Sequence, residues 1–193
     1  MVAQLVLVQL VWVRIPTGLP FLLCTSRHFS QWRGMQLFIL SRSPLESAMS
    51  LSDVHLRKMC LETAQILSSV MCRKEIPLRI DMPCPYHLNH PVITAIRTRE
   101  QINWVASYNE FLHLEYLIRF GKHHAYCRLA EGYTGILYDP SCGCSPEGLA
   151  RDFKDFQTAE PDLISAHREY YRFKKTIIRN WKFTGTEEPL WLK

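Results

Sequence analysis

At 3.6 residues per turn, the segment Asp53-Val-His-Leu-Arg-Lys-Met-Cys-Leu-Glu-Thr-Ala-Gln65 sorts into two faces. Leu56, Met59, Cys60, Thr63, Ile66, Leu67 and Val70 form an apolar stripe, while His55, Lys58, Glu62 and Gln65 stack as a polar row beside it. This pattern predicts a helix from a Ser52 or Asp53 cap to about residue 71. Ahead of it, Ser43-Pro44-Leu45-Glu46 has the marks of a helix start, with serine as N-cap, proline in the first turn and glutamate closing a capping box, so a short helix is expected over about 44–50. Residues 37–40, all apolar, suit a buried extended segment. Pro77, Pro83, Pro85 and Pro91 forbid regular helix between 76 and 91, which makes Cys84-Pro-Tyr-His-Leu-Asn-His-Pro91 a loop carrying two histidines. A long helix follows, starting at Val92 or Thr98 and stopped by Gly121, with Trp104, Tyr108, Phe111, Leu112, Glu115 and Ile118 as its packed face. A shorter helix is expected over about 122–130, a surface loop over 131–148, and a last helix from Pro161 to about residue 180. No alternating strand pattern of any length and no repeat is visible. The expected class is all-α: a single compact helical domain of about five helices with long Pro- and Gly-rich loops.

The start of the chain reads differently. Residues 2–13 form an apolar run interrupted by Gln4 and Gln9, closed by Arg14 and followed by Pro16, Gly18 and Pro20. The run is too short and too interrupted for a membrane span and lacks the leading positive charges of a secretory signal. Met35 therefore reads as a first residue. Residues 1–34 read as an N-terminal extension outside the fold, and 35–193 as the helical domain. Of the net charge of +5, three positive charges are Arg14, Arg27 and Arg33 in a stretch without acids, which leaves +2 for residues 35–193. So small an excess does not by itself argue for nucleic acid. The seven cysteines form an odd set without the spacing of a secreted disulfide framework, which points to an intracellular, reducing compartment. Cys127, Cys142 and Cys144 with His123 or His124 are soft ligands in the right order for zinc. The ordinary roles of a helix and its following loop account for them equally well, so no metal is expected there.

The polar row has two readings. It is the solvated face of a surface helix, with Lys58 and Glu62 an ordinary i,i+4 ion pair, or it is a site in which an imidazole, an amine and a carboxylate share one ridge. His55 and His90 are equally well placed to hydrogen-bond helix ends, and Tyr170 and Tyr171 to pack in a core.

Several motifs then fall in a familiar order. Asp53-x-His55-Leu56 with Glu62 nine residues on, His90 before a long helix ending Arg119-Phe-Gly121, and Tyr170-Tyr171-x-x-Lys174 near the end resemble the pyrimidine-dimer DNA glycosylase (endonuclease V) superfamily of phages. Leu61-Glu-Thr-Ala-Gln65, Asn89-His-Pro91, Arg119-Phe-Gly-Lys-x-His124 and Trp181-Lys182 before Pro189-x-Trp191 are similar to its uncharacterised phage relatives. The resemblance covers residues 35–193. It implies a DNA-repair glycosylase and abasic-site lyase without a cofactor, in which an amine attacks the deoxyribose carbon and a carboxylate stabilises the imine and moves protons during strand cleavage. Glu62 matches the catalytic glutamate, and the amine would be the α-amine of Met35 or that of Lys58. His55, Arg57, His90, Arg97, Arg99, Tyr170 and Tyr171 become candidate contacts to DNA. Where the characterised enzyme has arginines flanking its glutamate, this chain has Leu61 and Gln65. Gln36, as second residue, is bulky enough to leave Met35 in place. The resemblance further implies a monomer in a bacterial or phage-infected cytoplasm, acting on damaged or abasic duplex DNA and away from membranes. The alternative is a non-catalytic helical binding or accessory protein of phage origin that kept the fold.

Overall fold

The computed structural model describes residues 35–78, 82, 83, 85 and 87–193, together with residues 11–14 and 20–23. The chain divides into two compact units, Met1–Gly34 and Met35–Lys193. In the first, β1 (Val11–Arg14) and β2 (Pro20–Leu23) pair antiparallel, Val11 opposite Leu23 and Arg14 opposite Pro20. The sequence pattern gave no hint of this hairpin, because strands of four residues are too short to display an alternation. Pro20 is the first residue of β2, a strand position proline tolerates.

The second unit is all-α. Its described residues form six α-helices and a closing 3₁₀ turn at Leu190–Leu192. In α1 (Pro44–Met49) the Ser43 hydroxyl accepts from the Glu46 N–H at 3.4 Å, as its sequence promises. Instead of closing the box, the Glu46 carboxylate accepts from the Ser41 hydroxyl at 2.6 Å. Next comes α2 (Asp53–Arg73), the longest uninterrupted reach of the polar row. Both starts left open for the following helix are used: His90 caps the short α3 (Pro91–Ala95), the chain extends at Ile96, and Thr98 begins α4 (Arg99–Phe120) with a complete capping box through Gln101. Gly121 ends α4 at φ +62°, where a side chain would be strained, and its N–H reaches the Leu117 carbonyl at 2.8 Å.

The core is built around α4, which packs against α1, α2 and α5 (Cys127–Leu137). Covered from three sides, it buries Ile102, Trp104, Val105, Tyr108, Leu112 and Tyr116. The single stripe expected from periodicity is therefore corrected: Ile118 is 65% exposed and Phe111 only partly buried. Two further corrections concern boundaries. α5 occupies residues expected to be loop, since Tyr133 and Leu137, one turn apart, supply the packed face that Gly132 and Gly135 obscured. The last helix, α6 (Leu163–Ile177), starts from an Asp162 cap that accepts from the Ser165 N–H at 2.8 Å, and it stops three residues short of the expected end.

Residues 37–40 are buried, as their composition predicts, and belong to no helix or strand. The α4 C-terminus is fixed by Arg119. Its guanidinium donates to the Leu51 and Met49 carbonyls at 2.6 and 2.9 Å and to Glu115 at 2.7 Å, and lies 3.4 Å from Asp53. Asp53 also accepts from the Thr184 N–H at 3.0 Å and hydroxyl at 2.5 Å, tying the C-terminal segment to α2. Among the described residues, no helix is long and apolar enough to cross a membrane.

Candidate active site

The polar row of α2 is not a solvated face. His55 and Glu62 are 4% and 5% exposed, because the segment 36–38 lies against them. The Gln36 N–H donates to Glu62 Oε2 at 3.4 Å, and the Phe38 ring meets His55 edge-on at 4.7 Å. Lys58, one turn before Glu62, brings its Nζ to 3.2 Å from Oε1 while its own side chain stays 32% exposed. Burial pushes the Glu62 carboxyl up to about 7, against the opposing pull of Lys58 and the Gln36 N–H. Desolvation outweighs its partners, so this group exchanges a proton near neutral pH.

Residue 35 belongs to the same corner. Met35 is 4% exposed, and its backbone is one residue, about 3.8 Å between Cα atoms, from the N–H that touches Glu62. The structure thus brings together the three residues assigned to chemistry, Glu62, Lys58 and Met35. The Gln36 N–H, a backbone group that carries no mark in the sequence, is part of the arrangement.

The expected DNA contacts separate into two groups. His55 Nδ1 lies 3.1 Å from both the Ser52 hydroxyl and the Tyr171 hydroxyl, and the Tyr171 hydroxyl accepts from the Ser52 N–H at 2.8 Å. The ring is walled by Tyr171 and Trp181 as well as Phe38. Burial, then the charges of Lys58 and Lys174, push the imidazole down to about 3, which leaves it neutral. Tyr171 is fully buried and its hydroxyl raised above the usual range by burial. Tyr170 is 2% exposed, stacked on Phe153 at 4.8 Å, with Lys174 Nζ 4.9 Å from its ring centre. Of the expected DNA contacts, His55, Tyr170 and Tyr171 are thus buried in aromatic packing, with His55 and Tyr171 hydrogen-bonded to each other and to Ser52.

His90 likewise serves the fold: Nδ1 accepts from the Val92 N–H at 3.3 Å and Nε2 is 3.6 Å from Asp152. The arginines do face solvent. Arg57 lies over the Phe120 ring at 4.6 Å, Arg99 stands at the first turn of α4, and Arg97 lines a cleft of about 250 Å3 with Arg73 and Lys74.

Of the soft ligands that the sequence places in order for zinc, the Cys127 side chain lies outside the described residues. Cys142 and Cys144 sit in the loop after α5, where the Cys142 thiol donates to Asp139 at 3.6 Å and the Asn103 amide donates to the Asp139, Cys142 and Gly143 carbonyls. Among the described residues the group that converges is Cys60 of α2, His113 of α4 and His124 of the following turn. In the sequence Cys60 reads as one more member of the apolar stripe. The one signal in the sequence is polar His113, one turn after Asn109 and one residue after Leu112 of the packed face of α4.

Scanned against protein-family models, curated proteins and solved structures, the chain matches none.

Proposed function

We propose that residues 35–193 act as a DNA-repair glycosylase and abasic-site lyase, with Glu62 as the proton-transfer group and an amine at its side as the nucleophile. The observation that carries this reading is the buried carboxyl of Glu62, raised to about 7 and held between the Lys58 amine and the backbone of residues 35 and 36. Imine chemistry needs these groups at this distance. An amine adds to the deoxyribose aldehyde of an abasic site, water leaves, and a base then takes the C2′ proton as the 3′ phosphate departs. A carboxyl poised between its two states serves both proton movements.

A neutral amine is required for attack. An α-amine, with a model value near 7.7–8.0, meets that need at physiological pH better than a lysine near 10.4. A chain beginning at Met35 places its α-amine within one residue of the Glu62 contact, whereas in the full chain that nitrogen is an amide. Solvent-facing Arg57, Arg97 and Arg99 supply the phosphate contacts in this reading.

The test is borohydride trapping on an abasic-site duplex, with the full chain and with a chain starting at Met35. Covalent trapping by the Met35 form alone is expected. Equal trapping by both moves the nucleophile to Lys58, and trapping by neither removes the enzymatic reading. The second reading, a helical binding protein that kept the fold, draws on the commitment of His55, Tyr170 and Tyr171 to internal contacts. It predicts DNA or nucleotide binding without any covalent adduct.

A further inference from the structure

We propose that Cys60, His113 and His124 form a binding site for a divalent transition metal, with zinc as the ion whose chemistry fits best. Two independent observations carry this. One thiol and two imidazoles from α2, α4 and the turn after Gly121 place one ligand atom each within 4.8 Å of one another. Zinc bonds of about 2.0–2.3 Å need those atoms closer by roughly 1 Å, which side-chain rotation can supply. His113, 3% exposed, also has both ring nitrogens buried with no hydrogen-bond partner. A buried imidazole with neither nitrogen satisfied is costly, and a metal bond relieves it.

The neighbouring groups suit a metal. The Cys60 thiol points to the Leu112 carbonyl at a long 3.7 Å, a weak bond that gives way readily to a stronger one. His124 accepts from the Tyr126 N–H through Nδ1 at 3.4 Å, which fixes the ring and leaves Nε2 as the ligand. Half-buried His124 gives the ion an entry path, while Cys60 and His113 form the floor. On binding, the thiol proton is released to solvent and the ion takes one sulfur and two nitrogens, with water in the fourth position. Cys60 precedes Glu62 by two residues on α2, so the ion would pin the helix that carries the candidate catalytic group from its opposite side.

The experiment titrates the full, metal-free chain with Zn2+ alone and with Co2+ alone, following the thiolate-to-cobalt charge-transfer band and the thermal midpoint. About one ion per chain is expected, with a raised midpoint. Cys60→Ser should abolish the charge-transfer band. His124→Ala, at a half-exposed position that tolerates truncation, should weaken binding by more than the about 100-fold typical of outer-shell changes. A Cys142→Ser/Cys144→Ser double variant should bind as the parent does. Far-ultraviolet spectra of each metal-free variant show that the fold persists. No uptake at micromolar metal would overturn the proposal and leave His113 bridged by a buried water. So would a charge-transfer band that survives Cys60→Ser or disappears with Cys142 and Cys144.

Discussion

Glu62 holds its charge at a cost to the fold, and that cost has a sign that can be measured. Its carboxyl is raised to about 7 in the folded chain against a model value of 4.5, so the folded state binds a proton more tightly than the unfolded state does. The stabilising contribution is therefore complete below the unfolded value and is lost as pH rises towards 7. Glu62→Gln, a neutral isostere, should change stability little at pH 4. Above pH 8 it should stabilise the protein by up to about 3 kcal/mol, the pull of Lys58 being already contained in that shift. Urea melts at the two pH values decide this. An equal effect at both would mean that the carboxylate is hydrated and the ridge is scaffold. In the Met35 form, the same variant should cut abasic-site cleavage by roughly 100-fold to 10,000-fold while duplex binding stays within a few-fold, because the amide keeps the shape and cannot accept the proton.

At the scale of elements, Arg119 makes a buried joint between the end of α4, the loop before α2 and Asp53. Burial alone would push the Asp53 carboxyl up, but the Thr184 hydroxyl and N–H, and then Arg119, hold it below its usual value. Arg119→Met would leave Asp53 and Glu115 buried without their partner and two carbonyls without a donor, at about 3–5 kcal/mol. Denaturant unfolding with an unchanged slope should show this loss, and a loss under 1 kcal/mol would mean that water replaces the guanidinium. Helix starts were legible where caps are local: Ser43 and Thr98 each satisfy an N–H within three residues, whereas the last helix starts from Asp162, one residue past the expected Pro161. Burial was not. The ridge of His55 and Glu62 reads as solvated until residues 36–38 are laid over it, and contacts such as Gln36 with Glu62 lie 26 residues apart in the chain. For the same reason periodicity does not yield the packed face of α4: it reports a helix covered on one side, and this one is covered on three. The convergence of Cys60, His113 and His124 depends on that packing and has no counterpart in sequence spacing.

For the molecule as a whole, acid stability follows from three neutral histidines buried at different places in the same core. Burial pushes His55 and His167 down to about 3 and His113 to about 4. His167 shows why protonation is resisted: Nδ1 accepts from the Ile39 N–H at 3.4 Å while Nε2 donates to the Ala150 carbonyl at 3.2 Å, and the charged ring would lose the first bond. In the unfolded chain each histidine titrates near 6.5, so their stabilisation is complete above that value and falls as pH drops towards 3–4. Glu62 acts in the opposite sense between about 4.5 and 7, since there the folded chain holds the extra proton. Unfolding near pH 5.5 should then take up about two protons net, and stability should decline by roughly 2.5–3 kcal/mol per pH unit. Two variants separate the contributions. His167→Gln lowers overall stability but should flatten the decline by about one proton, because an uncharged side chain has nothing to titrate. Glu62→Gln should steepen it by about one proton, because the opposing group is gone. Urea midpoints at half-unit steps from pH 7 to pH 4.5 check both slopes. A stability independent of pH across that range, or a Glu62→Gln profile that runs parallel to the parent, would contradict a buried, proton-exchanging carboxyl at residue 62 and with it the chemistry assigned to that corner of the fold.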